Sequence, residues 1–502
     1  MFKQNCADTA QTVKLTASVQ DAARASEQGI PMIISADQEG GNITRLATGT
    51  MTCGNMALGA AGDAQSAWDN ASIIGSELAA VGINTDYAPD ADVNNNPSNP
   101  VINVRSFSSD PELVADFALA FVQELESEGV ISTVKHYPGH GDTDTDSHTG
   151  LPMINKSYDE LKQTELVPFF AAAENAGMIM TAHIQFPRIE TGTYRSVSSG
   201  EEMILPATLS SKMIKDILRG DIGYDGVVTT DAMLMEAINA NFDPIDAAVL
   251  AINADVDIIL ETVQIRSTAD ISAQGEYIGK LAAAVNDGRI AESEIDDSVI
   301  RIISLKLEKG IIGAEAVDAD AAVKTAKTIV GSKEHHDKEL EVALRAITLV
   351  KDEDSTLPLV MRENEKVAFF FPYAGEENTM TFALGRLKSD GIIPESVTAE
   401  CHAFTENSAS DDYEGITDDV AGYEERIKGC KAVIIATETY RAENMDRTDE
   451  KRAWQAVFGG STPTGKLPVD LPAYIEGKGY TDEIVYPSGY KAGSGYNKQT
   501  AD

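Results

Sequence analysis

Along the first 260 residues, a helix-patterned stretch repeatedly runs into a short apolar, β-branched segment that stops on a reactive side chain. Six such pairs can be read: 7–29 with 31–41, 65–80 with 82–89, 111–128 with 129–135, 158–175 with 176–183, 210–219 with 226–231, and 244–253 with 257–260. Helix and strand alternating in this way impose parallel pairing through right-handed crossovers. Six strands in about 230 residues suit a (β/α)8 TIM-type barrel, whose chemistry sits at the C-terminal strand ends. An open doubly wound sheet would place a glycine-rich phosphate loop after its first strand, and Gly40-Gly41 is a poor match. The segments end on Asp37, Asp86, Lys135-His136, His183 and Asp231. The barrel is assigned to residues 1–310.

Residues 261–309 continue as helix, strongly amphipathic over 295–306, and the Gly/Ala/Asp-rich stretch 311–335 reads as a linker. A second pattern, a helix at 338–346 and strands at 346–351, 366–371 and 431–436, predicts a smaller α/β sandwich domain over 336–502. Of 502 residues, 40 are Lys or Arg and 80 are Asp or Glu, a net charge of −40. That balance argues against nucleic acid or an anionic membrane surface as partner, and reads as a solubilising acidic coat. Cys6, Cys53, Cys401 and Cys430 are far apart and form no CxxC pair, which argues against a disulfide framework or zinc site. No segment approaches the roughly 20 apolar residues of a membrane span. The opening residues carry no signal-peptide apolar core, so nothing in the chain as written directs its location. Oligomeric state is not legible.

The stretch 129–150 concentrates the chemistry. A buried-strand pattern breaks at Pro138-Gly139 into a loop with His136, His140 and His148, three of only seven histidines. A metal reading is weak. Pro138-Gly139 forbids the helix that a His136-x3-His140 pair needs. As a calcium loop, Asp142-x-Asp144-x-Asp146 has Ser147 where glycine belongs and Met153 where a bidentate Glu belongs. Acid–base chemistry fits better: Asp146, two residues from His148, can fix its tautomer and stabilise the imidazolium. Asp231, on a Thr-Thr-Asp corner, is aimed at the same barrel mouth. A carboxylate with a nearby general acid is the minimal kit for retaining glycoside cleavage; a helix cap before Ala232 is the lesser reading of Asp231 that spacing alone does not exclude.

Lys135-His136-Tyr137-Pro138-Gly139-His140-Gly141-Asp142-Thr143 followed by Asp146-Ser147-His148 resembles the signature of glycoside hydrolase family 3, in its β-N-acetylglucosaminidase branch. Asp37-Gln38-Glu39-Gly40-Gly41 with Arg45, Asn99-Pro100-Val101-Ile102 with Arg105, Thr181-Ala182-His183, and Val228-Thr229-Thr230-Asp231 match in order. The resemblance implies Asp231 as nucleophile, His148 as general acid/base supported by Asp146, and Asp37, Arg45, Arg105, Lys135 and His136 as the grip on the sugar. It implies a carbohydrate substrate, a terminal β-linked N-acetylglucosamine for which peptidoglycan fragments are the expected source, with no metal and no organic cofactor. Phosphorolysis at the same site is an alternative, because a neutral imidazole does not repel phosphate. Against the family's pattern, the chain opens at the end of the expected first strand, the second domain lacks a strand–helix unit before Gly465-Lys466-Leu467-Pro468, and Asn42 stands where arginine is common. Those gaps keep an inactive, truncated sugar-binding protein among the alternatives.

Overall fold

The computed structural model describes residues 1–147, 150–350, 352, 356–373, 375–405, 425–436, 466–469, 471–475 and 479–490. In chain order, the first part runs α1 (Thr9–Arg24), β1 (Ser35–Ala36), α2 (Asn55–Ala61), α3 (Gln65–Ala80), β2 (Thr85–Asp86), α4 (Pro111–Ser127) and β3 (Ile131–Tyr137). It continues α5 (Tyr158–Leu161), α6 (Val167–Ala172), β4 (Met178–Thr181), a hairpin of β5 (Thr193–Arg195) and β6 (Glu202–Ile204), and a π-helix, Lys212–Asp221. Then come β7 (Val227–Thr230), α7 (Glu236–Asn239), α8 (Pro244–Asn253), α9 (Ile271–Asn286), α10 (Glu292–Glu308), α11 (Ala319–Ile329) and α12 (Lys333–Ala346).

The unit of α4 and β3 illustrates why this order forms. Asp110 caps α4 by accepting from the backbone N–H groups of Glu112 and Leu113, and Pro111 supplies a preset first turn. Val114, Phe117, Ala118, Phe121, Val122 and Leu125 recur at three- and four-residue spacing and are buried together. Gly129, at φ +76°, turns the chain out of the helix. All seven residues of β3 are then buried, as expected of a strand covered on both faces.

The strands assemble in sequence order, β1-β2-β3-β4-β7, every pair parallel. The segment after α8 adds one further parallel bridge, Thr229 to Ile258, so the expected sixth strand is a single contact. One core, running from Val13 through Phe121, Val134 and Ile179 to Val256, lies between the curled sheet and its helices.

Three expected elements of this part differ. The stretch 261–309 is not one continuous helix but α9 and α10, which begin only at Ile271 and break between Asn286 and Glu292. The stretch 158–175 is two short helices: Ser157 and Glu160 cap each other at the start of α5, and Pro168 opens α6. The stretch 311–335 is not an open linker but holds α11, capped by Asp318, with Ala326 fully buried in the main core.

The second part contains β8 (Lys366–Tyr373), α13 (Gly375–Ser389), β9 (Thr398–Thr405), β10 (Ala432–Ile435), β11 (Leu471–Ile475) and β12 (Gly479–Tyr486). Three strands form a parallel sheet, β10-β8-β9, with Phe369, Phe371, Met380 and Leu384 in its own core. β11 and β12 pair antiparallel. The run 346–351 joins no ladder over its described residues 346–350. Residues 466–468 dock on the first part: Lys466 N–H donates to the Ala60 carbonyl at 2.9 Å, and Ser109 N–H to the Pro468 carbonyl at 3.3 Å.

Candidate active site

The C-terminal ends of the strands open into a cavity of about 760 Å³. Of the residues expected to act there, Asp37, Arg45, Arg105, Lys135, His136 and Asp231 all line it. Asp146 lies in the loop beyond β3, beside the cavity-lining Ser147, and His148 lies outside the described residues.

Asp37 follows β1 and pairs with Lys135 Nζ at 3.1 Å and Arg45 Nη2 at 3.0 Å. Two positions on, and therefore on the same face of the extended chain, Glu39 is buried. It accepts Arg105 Nε at 2.9 Å and Nη2 at 2.8 Å, a bidentate fork, and Lys135 Nζ at 2.6 Å. Burial opposes its ionisation, but those two cations hold its carboxyl well below the usual carboxylate range. Burial likewise disfavours the Lys135 ammonium, yet Glu39 and Asp37 push its pKa up. Glu39 was not singled out from sequence, although the two-residue spacing from Asp37 was there to read.

Asp90 and Asp92, beyond β2, form a second pair at the same spacing, both fully buried. Asp92 Oδ2 lies 2.7 Å from His136 Nδ1, and its Oδ1 accepts the His140 N–H at 2.6 Å. Asp90 Oδ2 lies 3.4 Å from Arg105 Nη2. Burial, reinforced by Asp92, pushes the Asp90 carboxyl up to about 8, so it holds a proton at neutral pH. Burial presses His136 down to about 4, helped by Arg105, and leaves it neutral. Asp90, Asp92 and His136 each present a ligand atom within 4.8 Å of the others. The imidazole nitrogen is already taken by Asp92 and a guanidinium abuts Asp90, so these groups act as a hydrogen-bonded network and not as free metal donors.

Asp231 stands at the end of β7, where its Oδ1 accepts the Ala232 N–H at 2.7 Å. Burial raises its carboxyl pKa, but His136, His183, that N–H and Lys135 together bring it below the ordinary value. It is therefore an ionised carboxylate in a partly enclosed site. His183 is fixed by Thr208 Oγ1 at 2.9 Å and the Ala232 carbonyl at 3.1 Å. Asn99 clamps the loop after β3, donating to the carbonyls of His140 at 2.8 Å and Gly141 at 3.1 Å. Val101, Met180, Leu234 and Met235 add apolar surface to the cavity lining.

The chain is a parallel α/β protein that carries carboxylates, anchored cations and histidines at its strand ends, the arrangement of an enzyme site in that fold class. Within that class it belongs to glycosyl hydrolase family 3, whose N-terminal domain model matches residues 1–305. It is 42% identical over 374 residues to a beta-hexosaminidase A of Pseudoalteromonas piscicida, an alignment covering 73% of this chain and 61% of that protein. The chain thus spans about three fifths of that relative's length. A beta-hexosaminidase of Stenotrophomonas maltophilia is 33% identical over 322 residues, covering 60% of this chain and 90% of that one. Among solved structures, a glycoside hydrolase family 3 beta-N-acetylglucosaminidase from Paenibacillus superposes with a TM-score of 0.76 at 32% identity, covering 93% of this chain and 92% of the other.

Proposed function

We propose that this chain is a retaining exo-β-N-acetylglucosaminidase, built on a (β/α)8-type barrel, that removes terminal β-linked N-acetylglucosamine. The observation that carries this reading is Asp231, an ionised carboxylate at a strand end, facing a cavity gripped by Lys135, Arg105 and Arg45. The names of the relatives supply the sugar. The apolar surface suits the C–H face of a pyranose and an acetamide methyl, and the cations suit its hydroxyl and carbonyl oxygens.

In this mechanism Asp231 attacks the anomeric carbon while the protonated His148, supported by Asp146, gives its proton to the leaving glycosidic oxygen. Neutral His148 then takes a proton from water, which attacks the glycosyl–Asp231 ester and releases the sugar with retained configuration. Asp37, Arg45, Arg105, Lys135 and His136 hold the sugar. Short peptidoglycan oligosaccharides are the expected natural substrates.

The test is nitrophenol release from the β-N-acetylglucosaminide, with the β-glucoside alongside and Asp231→Asn as control. Turnover of the acetamido sugar that disappears in the variant supports the reading. No turnover by protein folded by circular dichroism contradicts it, and sugar phosphate as product in the presence of phosphate would make the chain a phosphorylase.

A further inference from the structure

Asp92 takes no place in the mechanism above, yet it is fully buried directly behind the cavity-lining His136 and His140 and holds both. We infer that Asp92 is a positioning residue: one buried carboxylate that sets the tautomer of His136 and, through His140, the place of the loop after β3 as far as Ser147. The inference rests on the glycosidase reading only for its consequence in turnover.

Its Oδ2 lies 2.7 Å from His136 Nδ1, and its Oδ1 accepts the backbone N–H of His140 at 2.6 Å and of His136 at 3.4 Å. A carboxylate can only accept, so Nδ1 must carry the hydrogen and Nε2 the lone pair. Nε2 stands 3.5 Å from Arg105 Nη2 and borders the cavity. In this tautomer it accepts from the guanidinium or from a sugar hydroxyl. The other tautomer would point an N–H at a cation.

The same carboxylate reaches the loop after β3. His140, whose N–H it holds, meets Thr143 Oγ1 at 2.8 Å through Nδ1 and Ser147 Oγ at 3.2 Å through Nε2. Ser147 is the residue between Asp146 and His148. One side chain therefore registers the sugar-gripping imidazole and the loop segment from His140 to Ser147 against each other, and groups held this way deliver most of their effect through orientation.

Asp90 keeps Asp92 available for this work. Its Oδ1 accepts the Asp92 N–H at 3.0 Å, while its buried Oδ2 has no donor in hydrogen-bond geometry. Two carboxylates this close do not both ionise. The proton belongs on Asp90, because the N–H donors converge on Asp92.

The experiment uses the full chain labelled with ¹⁵N-histidine, its His136 signals assigned by their loss in His136→Gln. At neutral pH the wild type should show His136 with Nδ1 protonated and Nε2 bare. Asp92→Asn should lose that single tautomer and about 10- to 100-fold in kcat, as expected for a residue acting through its neighbour. An Nε2–H tautomer or an imidazolium in the wild type overturns the inference. So does an Asp92→Asn protein with unchanged tautomer and kcat/KM. If that variant does not fold, the wild-type tautomer decides. A wild type without turnover refutes the glycosidase reading and leaves the tautomer test intact.

Discussion

Glu39 faces Arg105 at 2.8 Å and Lys135 at 2.6 Å in a site almost closed to water, so its charge matters more than its size. Glu39→Gln keeps the shape and removes the charge, leaving two buried cations under-compensated. We expect a loss of roughly 3–5 kcal/mol in urea unfolding. Asp159→Asn, which breaks the exposed Lys162 pair, should cost less than about 1 kcal/mol. Equal losses would contradict the picture of a buried charge cluster.

The titrations of the same wall set a pH dependence. His136 and His140 are both pressed by burial from 6.5 down to about 4. Between those values the unfolded chain binds more protons, so their contribution is whole above pH 6.5 and is lost as pH falls toward 4. Asp90 works in the opposite sense. Its folded carboxyl holds a proton up to about 8 against an ordinary 3.8, so its contribution is whole below that ordinary value and is lost as pH rises to 8. Together these three groups favour the fold most near pH 6.5. Asp90→Asn removes its share of the alkaline limb, so its urea midpoint should decline less from pH 6.5 to 8 than that of the wild type, the buried Asp86 and Asp92 carboxyls, also pushed up, keeping theirs. The same decline in both would contradict the assignment.

At the scale of elements, the loop after β3 depends on one close approach. A Cβ on Gly141 would sit 1.8 Å from the Val93 carbonyl oxygen, so Gly141→Ala must push the loop off the segment that Asn99 clamps to it. Turnover of the nitrophenyl substrate should fall at least tenfold, for a stability cost of about 1–3 kcal/mol. Gly279→Ala, in α9 with open space at its Cβ, should leave turnover unchanged and stabilise by up to about 1 kcal/mol. Equal effects would contradict the packing argument.

The helices and strands that sequence located well are those whose signals agree. In α4 the Asp110-Pro111 start, the three- and four-residue apolar spacing and Gly129 all point the same way. Where signals conflicted, the reading slipped. The periodicity of 158–175 hid a turn that the Ser157–Glu160 capping box and Pro168 reveal. The β-branched run Ile347–Val350 has strand propensity, but pairing is a tertiary property that propensity does not supply. In the cavity, Asp37, Lys135, His136 and Asp231 were legible as strand-end residues. Asp92 was not, because its role rests on contacts to His136 and His140, 44 and 48 positions away, nor was Asp90, which faces Arg105 and Asp92.

Across the whole molecule, −40 charges on 502 residues repel one another in the folded state more than in the expanded one. Salt should relieve that repulsion. The melting temperature should rise between about 0.05 and 1 M sodium chloride, as the screening length shortens to about 3 Å. A flat or falling melting temperature would mean that local ion pairs outweigh the acidic coat. The two parts of the chain meet through residues 466–468, whose backbone bonds to α2 and to Ser109 lie on the flank of the first part. None of the described residues of the second part lines the cavity at the strand ends.

Asp231 is expected to form a covalent bond to the sugar. The most direct measurement is to incubate the protein with a 2-acetamido-2-deoxyglucosyl fluoride bearing a second fluorine at C5, which slows release of a glycosyl intermediate. Proteolysis and mass spectrometry then locate the label. One glycosyl adduct is expected, on the peptide containing Asp231, and none in Asp231→Asn. An adduct on another carboxylate, or turnover with inverted anomeric configuration and no adduct, would contradict this expectation.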